Sequence, residues 1–401
     1  MSLDLTKVAA QVGSMVARLK AGGEERKKRL QHALDVLHDK SIDLDHLRKK
    51  IDSSQTTWLV AGLVDGLDQH YKPSALPKEF TVIATDGSHI DVDRHKSTKC
   101  YLINIGTVIL RYGAQPEALL DSFPTLYFGD EDLVIAPDGA KGREQPIEGV
   151  LLGIKRSVDE CRQLATLAKE LPPNSSTLAL LDGSLILWGL AGQTYPEFVT
   201  KALLSKGFLR YLEAIRKLNK DKQLALASYI SFPRSTDVVN ALRVAICPHD
   251  PADCDRYCPP GSKRDCDAVA GVQDRELFSN LLDKGERSAL FTSQSSIVQK
   301  HYGKHEVYFF YLRVDDEIAR VEIPQWVVKD ENLLNLTHSL VLDQCRRGQG
   351  YPVALSEAHE QAVVTASDKE SFWRVVESLM VDEHLPSPTS AKSFSKRTRW
   401  V

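Results

Sequence analysis

Two aliphatic runs in this chain end in the same three residues. TVIATDGSHIDVD begins at Thr81 and TLALLDGSLILWG at Thr177, and each carries an Asp-Gly-Ser triplet, led by Asp86 and by Asp182. Near-continuous β-branched and aliphatic runs of this length are the pattern of strands covered on both faces. Asp-Gly after a strand is also a common turn signal, so either copy alone reads as a plain turn. Together they say more. A strand fixes each Asp, the Gly lets the chain turn sharply beside it, and the Ser hydrogen-bonds the carboxylate or caps the next element. Adjacent in one sheet, the two strands would converge two carboxylates on one point. Such all-oxygen sites suit Mg²⁺ or Mn²⁺, and paired ions roughly 4 Å apart stabilise the attacking and leaving oxygens of phosphodiester cleavage. The pattern predicts phosphoryl chemistry.

The rest of the chain supplies a frame for that site. Residues 4–50 read as two helices broken at Gly22–Gly23, with Leu30, Leu34 and Leu37 on one face, within an N-terminal helical segment over 1–60. The prolines of HYKPSALPKEF mark a linker, after which strand and helix signals alternate to about residue 384. CYLINIGTVILRYG reads as an antiparallel partner of the first strand. EGVLLGIKRSVDECRQLATLAKEL is an amphipathic helix with Asp159 and Glu160 on its polar face, and a helix over 196–219 precedes the strand LALASYISF. A hairpin turning at Asp315–Asp316 and further helices from Asp330 complete the domain, and 385–401 is a basic tail.

Composition narrows the class. No apolar run approaches the ~20 residues of a membrane span, and the N-terminus lacks the apolar core of a secretory signal, so a cytoplasmic protein is expected. A net charge of −3 does not advertise nucleic-acid coating. The basic clusters EERKKR, LRKK and KSFSKRTRW read as solvated faces or a tail.

With the second Asp on a later strand, after a helix, the layout is that of RNase H-like metal nucleases. The chain resembles the NurA nuclease family from about Phe80 to Glu377, through ATDGSH, LLDGSL, SFPRS, ARVEIPQW and GYPVALSEAHEQAVV in that order. The resemblance implies an α/β fold, with an RNase H-like mixed sheet flanked by helices, over 75–384. It also implies Mn²⁺-dependent (or Mg²⁺-dependent) 5′-to-3′ exonuclease and single-strand endonuclease activity on DNA. A homodimer and a hexameric HerA-type translocase partner in DNA end resection and double-strand break repair are implied by it as well. The family's strand-end aspartates fall on Asp86 and Asp182, its helix glutamate on Glu160 with Asp159 as competitor, and its late histidine on His359, at a helix start. Tyr351 is a candidate to orient a phosphate or water, and Arg234 of SFPRS a phosphate clamp, since its fork matches two phosphate oxygens. A non-catalytic DNA-end-binding or docking protein, or an RNase H-like nuclease acting on RNA, are the alternatives.

Cys247, Cys254, Cys258 and Cys266 crowd into an insertion over 247–266, whereas Cys100, Cys161 and Cys345 lie apart and read as buried small hydrophobes. Four clustered cysteines in a reducing compartment point to Zn²⁺ or an iron–sulfur cluster, although no Cys-x2-Cys pair is present.

Overall fold

Five neighbouring strands of a larger mixed sheet frame both Asp-Gly-Ser triplets: β1 (Phe80–Ile90), β2 (Tyr101–Tyr112), β3 (Glu117–Tyr127), β4 (Ser176–Asp182) and β5 (Gln223–Ile230). They lie in the order β3-β2-β1-β4-β5. β1 pairs antiparallel with β2, and β2 with β3, while β4 runs parallel to both β1 and β5. This is the RNase H-like mixed sheet expected from the sequence. The computed structural model describes residues 4–93, 98–137, 139, 143–173, 175–192, 195–259, 261–262 and 264–385, so the basic segment Lys392–Trp400 lies outside the described residues.

These five strands belong to a unit made of Pro73–Ile230, Ser296–Val307 and Glu322–Val401. Its central strands lack alternation because helices cover both faces. Helix α1 (Val150–Glu170) buries Leu151, Ile154, Val158 and Leu164 with Ile83, Ile103, Ile105 and Leu181 in one apolar cluster. Helices α2 (Glu331–Arg347) and α3 (Val353–Ala362) contact the strands from the other side. The connection from β4 to β5 is helical from Glu197 to Leu218, as expected, with a π-helical stretch at Lys201–Phe208. The edge strand β3 is almost wholly exposed, which explains why no periodic signal marked it.

The second unit comprises Met1–Lys72, Ser231–Ser295 and Tyr308–Val321. Leu37, Leu47 and Ile51 of the N-terminal helices share its core with Val238, Leu242, Phe278 and Phe309, and Leu30 and Leu34 pack partly against it. The hairpin of Val307–Val314 and Glu317–Pro324 turns at Asp315–Asp316, with Asp315 at φ 49°. One expectation fails here: a single helix runs from Leu5 to Leu37 straight through Gly22 and Gly23. Glycine within an exposed helix costs about 1 kcal/mol relative to alanine, which weakens a helix without ending it. The break comes at His38–Asp43, where Asp43 caps the next helix, Leu44–Ser53, by accepting from Asp45 N and His46 N. No described helix is long and apolar enough to cross a membrane.

Gly106 of β2 sits directly opposite Asp86, and a Cβ there would stand 2.1 Å from Ala358 O and 2.6 Å from Ala362 N of α3. Gly106→Ala is therefore expected to destabilise by about 3 kcal/mol, the upper end of overpacking, read as a lowered thermal midpoint. Gly22→Ala, with nothing within 4 Å of the added atom, is expected to raise it slightly, by at most ~1 kcal/mol.

Candidate active site

The two Asp-Gly-Ser triplets are alike in sequence and differ in backbone. β4 ends at Asp182, and Gly183 turns away at φ 82° while donating its N–H to Tyr229 O at 3.0 Å. The first triplet makes no turn. β1 continues past Asp86 to Ile90, pairing Gly87 with Ile105 and Ile90 with Leu102, so Asp86 lies within the strand and not at its end. Thr85↔Leu181 is the last parallel pair between β1 and β4, so Asp86 and Asp182 occupy the next matching positions on neighbouring strands.

Why β1 needs a glycine becomes clear from α1. A Cβ on Gly87 would lie 2.6 Å from Glu160 Oε1 and 2.9 Å from Arg156 Cγ. The missing side chain is thus the space into which the Glu160 carboxylate projects, and Thr85 Oγ1 fastens the helix by donating to Glu160 O at 3.1 Å. Asp159 faces elsewhere: Lys155 Nζ donates to its Oδ2 at 2.6 Å, Tyr127 OH donates to the same oxygen at 2.8 Å, and Arg162 stands 3.3 Å from Oδ1. Neither residue is on a solvated face, both being buried. Of the two, it is Glu160 that projects against β1 at Gly87, where the charges of Asp86 and Asp182 act on it.

His359 and Tyr351 arrive from the opposite side. Asn104 Nδ2 donates to Gln361 O and Ala362 O at 3.2 and 3.0 Å, pinning the end of α3 over Gly106. His359 Nδ1 is consequently held 2.8 Å from Asp86 Oδ2. Pro352 caps α3 and the helix starts at Val353, which places His359 in its last turn instead of at its start. Tyr351 precedes that helix, in a turn where a Cβ on Gly348 would meet Tyr351 O at 2.0 Å and Gly350 adopts φ 113°. Its OH donates to Asp182 Oδ1 at 2.8 Å, and its ring meets Tyr229 edge-on at 5.5 Å.

The electrostatics follow from this crowding. Burial, with the charges of Asp86 and Asp182 added, pushes the Glu160 carboxyl up to about 8 against the opposing pull of Arg156. Arg156 Nε lies 3.0 Å from Glu160 Oε1 but is not aligned as a donor, so that buried oxygen has no hydrogen-bond partner. Asp182 is also raised, first by burial, although Tyr351 works the other way by hydrogen-bonding the carboxylate. As the chain stands, no three His, Cys, Asp or Glu side chains among the described residues are drawn together closely enough to hold a metal ion.

Arg234 is exposed and belongs to the second unit, as do the four clustered cysteines, of which Cys254 and Cys266 are buried and Cys247 and Cys258 half-buried. Cys100, Cys161 and Cys345 are buried, as expected of small apolar residues. Glu322 of ARVEIPQW is structural: its Oε2 accepts from Ser184 Oγ at 2.8 Å and Leu185 N at 2.9 Å, shaping the loop after the second triplet. Arg156 was missed from sequence, although its place four residues before Glu160 on one helix was a usable signal.

No curated protein matches the chain. A family model, described as the NurA domain, matches residues 80–364, a span that includes both Asp-Gly-Ser triplets, Glu160, Tyr351 and His359. Since that match covers most of the chain, the protein belongs to the NurA family of nucleases.

Proposed function

We propose that the chain is a metal-dependent deoxyribonuclease, with Asp86, Glu160, Asp182 and His359 as the ligands of one or two Mn²⁺ or Mg²⁺ ions. The observation that carries this is the Glu160 carboxyl, buried against β1 where the charges of two aspartates act on it, with one oxygen left without a hydrogen bond. Carboxylates whose charges act on one another repel, and a divalent cation turns that repulsion into attraction. Carboxylate oxygens with one imidazole fit Mn²⁺ or Mg²⁺. Bound there, such an ion supplies an activated water and neutralises charge on the phosphate.

The chain's own groups do the positioning. Tyr351 fixes the orientation of Asp182 through Oδ1, leaving the other oxygen free of that bond. His359, about two-thirds exposed, stands where it can complete the ligand set or exchange a proton with solvent at Asp86. Arg156 is released to meet a phosphate once Glu160 has another counter-charge. The 5′-to-3′ exonuclease and single-strand endonuclease modes, a role in DNA end resection and double-strand break repair, the homodimer and the HerA-type translocase are part of the same proposal. Their support is the family membership.

Three measurements test this reading. Purified protein is expected to cleave end-labelled single- or double-stranded DNA with Mn²⁺ or Mg²⁺ and to be silent in EDTA; cleavage confined to RNA, or insensitive to EDTA, would refute it. Asp86→Ala and Asp182→Ala are each expected to lower the cleavage rate by on the order of 10²–10³-fold or more. Their thermal midpoints should hold or rise, because like-charge repulsion is relieved. Wild-type rates in either variant would sink the assignment.

The third concerns pH. Because the folded Glu160 titrates near 8, above the ordinary carboxylate value, the metal-free folded state holds a proton that the unfolded chain gives up from about pH 4.5. That stabilisation is complete below the unfolded value and fades as pH rises through 8. Glu160→Gln, which keeps the uncharged shape, should therefore melt higher than wild type at pH 8 without metal, by a margin that shrinks toward pH 5, while losing cleavage. A constant difference across that range would show that Glu160 is not the titrating group.

A further inference from the structure

The cysteine-rich segment is folded around its own thiols. Cys247 closes the helix Asp237–Ile246, its N–H donating to Arg243 O and Val244 O at 3.1 and 3.2 Å. Cys254 opens a single helical turn, Cys254–Tyr257, and Cys258 N donates to Cys254 O at 3.1 Å, so these two residues stand one turn apart. The turn is anchored from outside, Cys254 N donating to Gln55 O at 3.0 Å. Cys266 lies in the short helix Asp265–Val269, and its Sγ is 3.7 Å from Arg243 Nη2. Arg243 is thus flanked by Cys247, one turn along its own helix, and by Cys266.

Cys254 and Cys258 stand one turn apart, and Cys247 and Cys266 lie on either side of Arg243, which makes this end of the helix Asp237–Ile246 the sulfur-bearing neighbourhood. Two cations border it: Arg243 lies 3.6 Å over the Trp58 ring and pairs with Asp267 at 3.2 Å, and Arg264 lies 5.9 Å from the same ring. Arg243 Nε and Trp58 Nε1 are buried donors without acceptors.

We propose that Cys247, Cys254, Cys258 and Cys266 together ligate a thiophilic metal centre, Zn²⁺ or an iron–sulfur cluster, which staples this segment onto the helix Asp237–Ile246. Ligation draws the sulfurs closer than they stand in the chain alone, a zinc–sulfur bond being about 2.3 Å. The segment is rich in turns, with Pro248, Pro251 and Pro259 between the cysteines, and the centre supplies the folding free energy that its few apolar residues do not. Arg243 Nη2, already 3.7 Å from Cys266 Sγ, then has an anionic sulfur to meet.

The test uses the full chain, purified anaerobically without chelator from cells grown in zinc- and iron-replete medium. Elemental analysis and acid-labile sulfide are expected to show near-stoichiometric zinc without sulfide, or iron with sulfide and visible absorption; either supports the centre and tells which metal fills it. Alkylation of the native protein, mapped by mass spectrometry, should spare all four cysteines until the metal is stripped. Cys258→Ser should lower metal content several-fold, and Cys100→Ser, outside the segment, should not. If the serine variant fails to fold, the wild-type alkylation map still decides. Metal-free protein whose four thiols alkylate freely in the folded state overturns the proposal.

Discussion

Everything at this site depends on two side chains that are missing around Asp86. Gly106, across the ladder, lets the backbone of α3 press against the sheet, and Gly87, the next residue along, makes room for the Glu160 carboxylate. Strand alternation explains why both are needed: neighbours along a strand face opposite sides of the sheet, so Asp86 and Gly87 open toward different helices. One helix brings His359 to Asp86 and the other brings Glu160 past Gly87. A methyl group at either position would push a functional side chain away from the aspartate pair.

That arrangement is electrostatically costly. Glu160 and Asp182 are both raised, burial being the leading cause in each, and Arg156, the cation beside Glu160, meets it without hydrogen-bond alignment. Compare Asp159, one residue earlier on the same helix and just as buried, which is satisfied by Lys155, Tyr127 and Arg162. Adjacent carboxylates on α1 thus divide the labour: one is a settled element of the interior, the other is left in need of a partner. Sites that await a charged ligand commonly show such incomplete satisfaction.

The second unit has a different character. Its N-terminal helices, the Asp237–Ile246 helix and the hairpin turning at Asp315 form a conventional apolar core, and a buried charge there has its counter-charge, as where Arg320 Nη1 donates to Asp237 Oδ2 at 2.8 Å. Around the four cysteines, by contrast, Arg243 shares its guanidinium between Asp267 and the Cys266 sulfur, while its Nε and Trp58 Nε1 are buried without acceptors. The chain enters this unit three separate times, and such a grouping leaves no compositional mark because each crossing falls within an ordinary strand or loop.

Local pattern alone determined the strands and helices whose burial is periodic or complete: β1, β2, β4, β5, α1, and the turn at Asp315. It also determined the residue types that can hold a hard cation, because those depend on side-chain chemistry and on order along the chain. It could not find β3, whose faces are both exposed, nor tell that Gly22–Gly23 leaves a helix intact, since that rests on marginal energies and not on sterics. The different surroundings of Glu160 and Asp159, the place of His359 in the last turn of α3, and the different backbones of two identical Asp-Gly-Ser triplets were decided by tertiary structure. In each case the deciding quantity is which atoms approach within about 3 Å, the hydrogen-bonding range, across elements distant in sequence. Gly87 and Gly183 are the same letter in the same motif; one is glycine because a helix side chain needs the space, the other because its backbone adopts φ 82°.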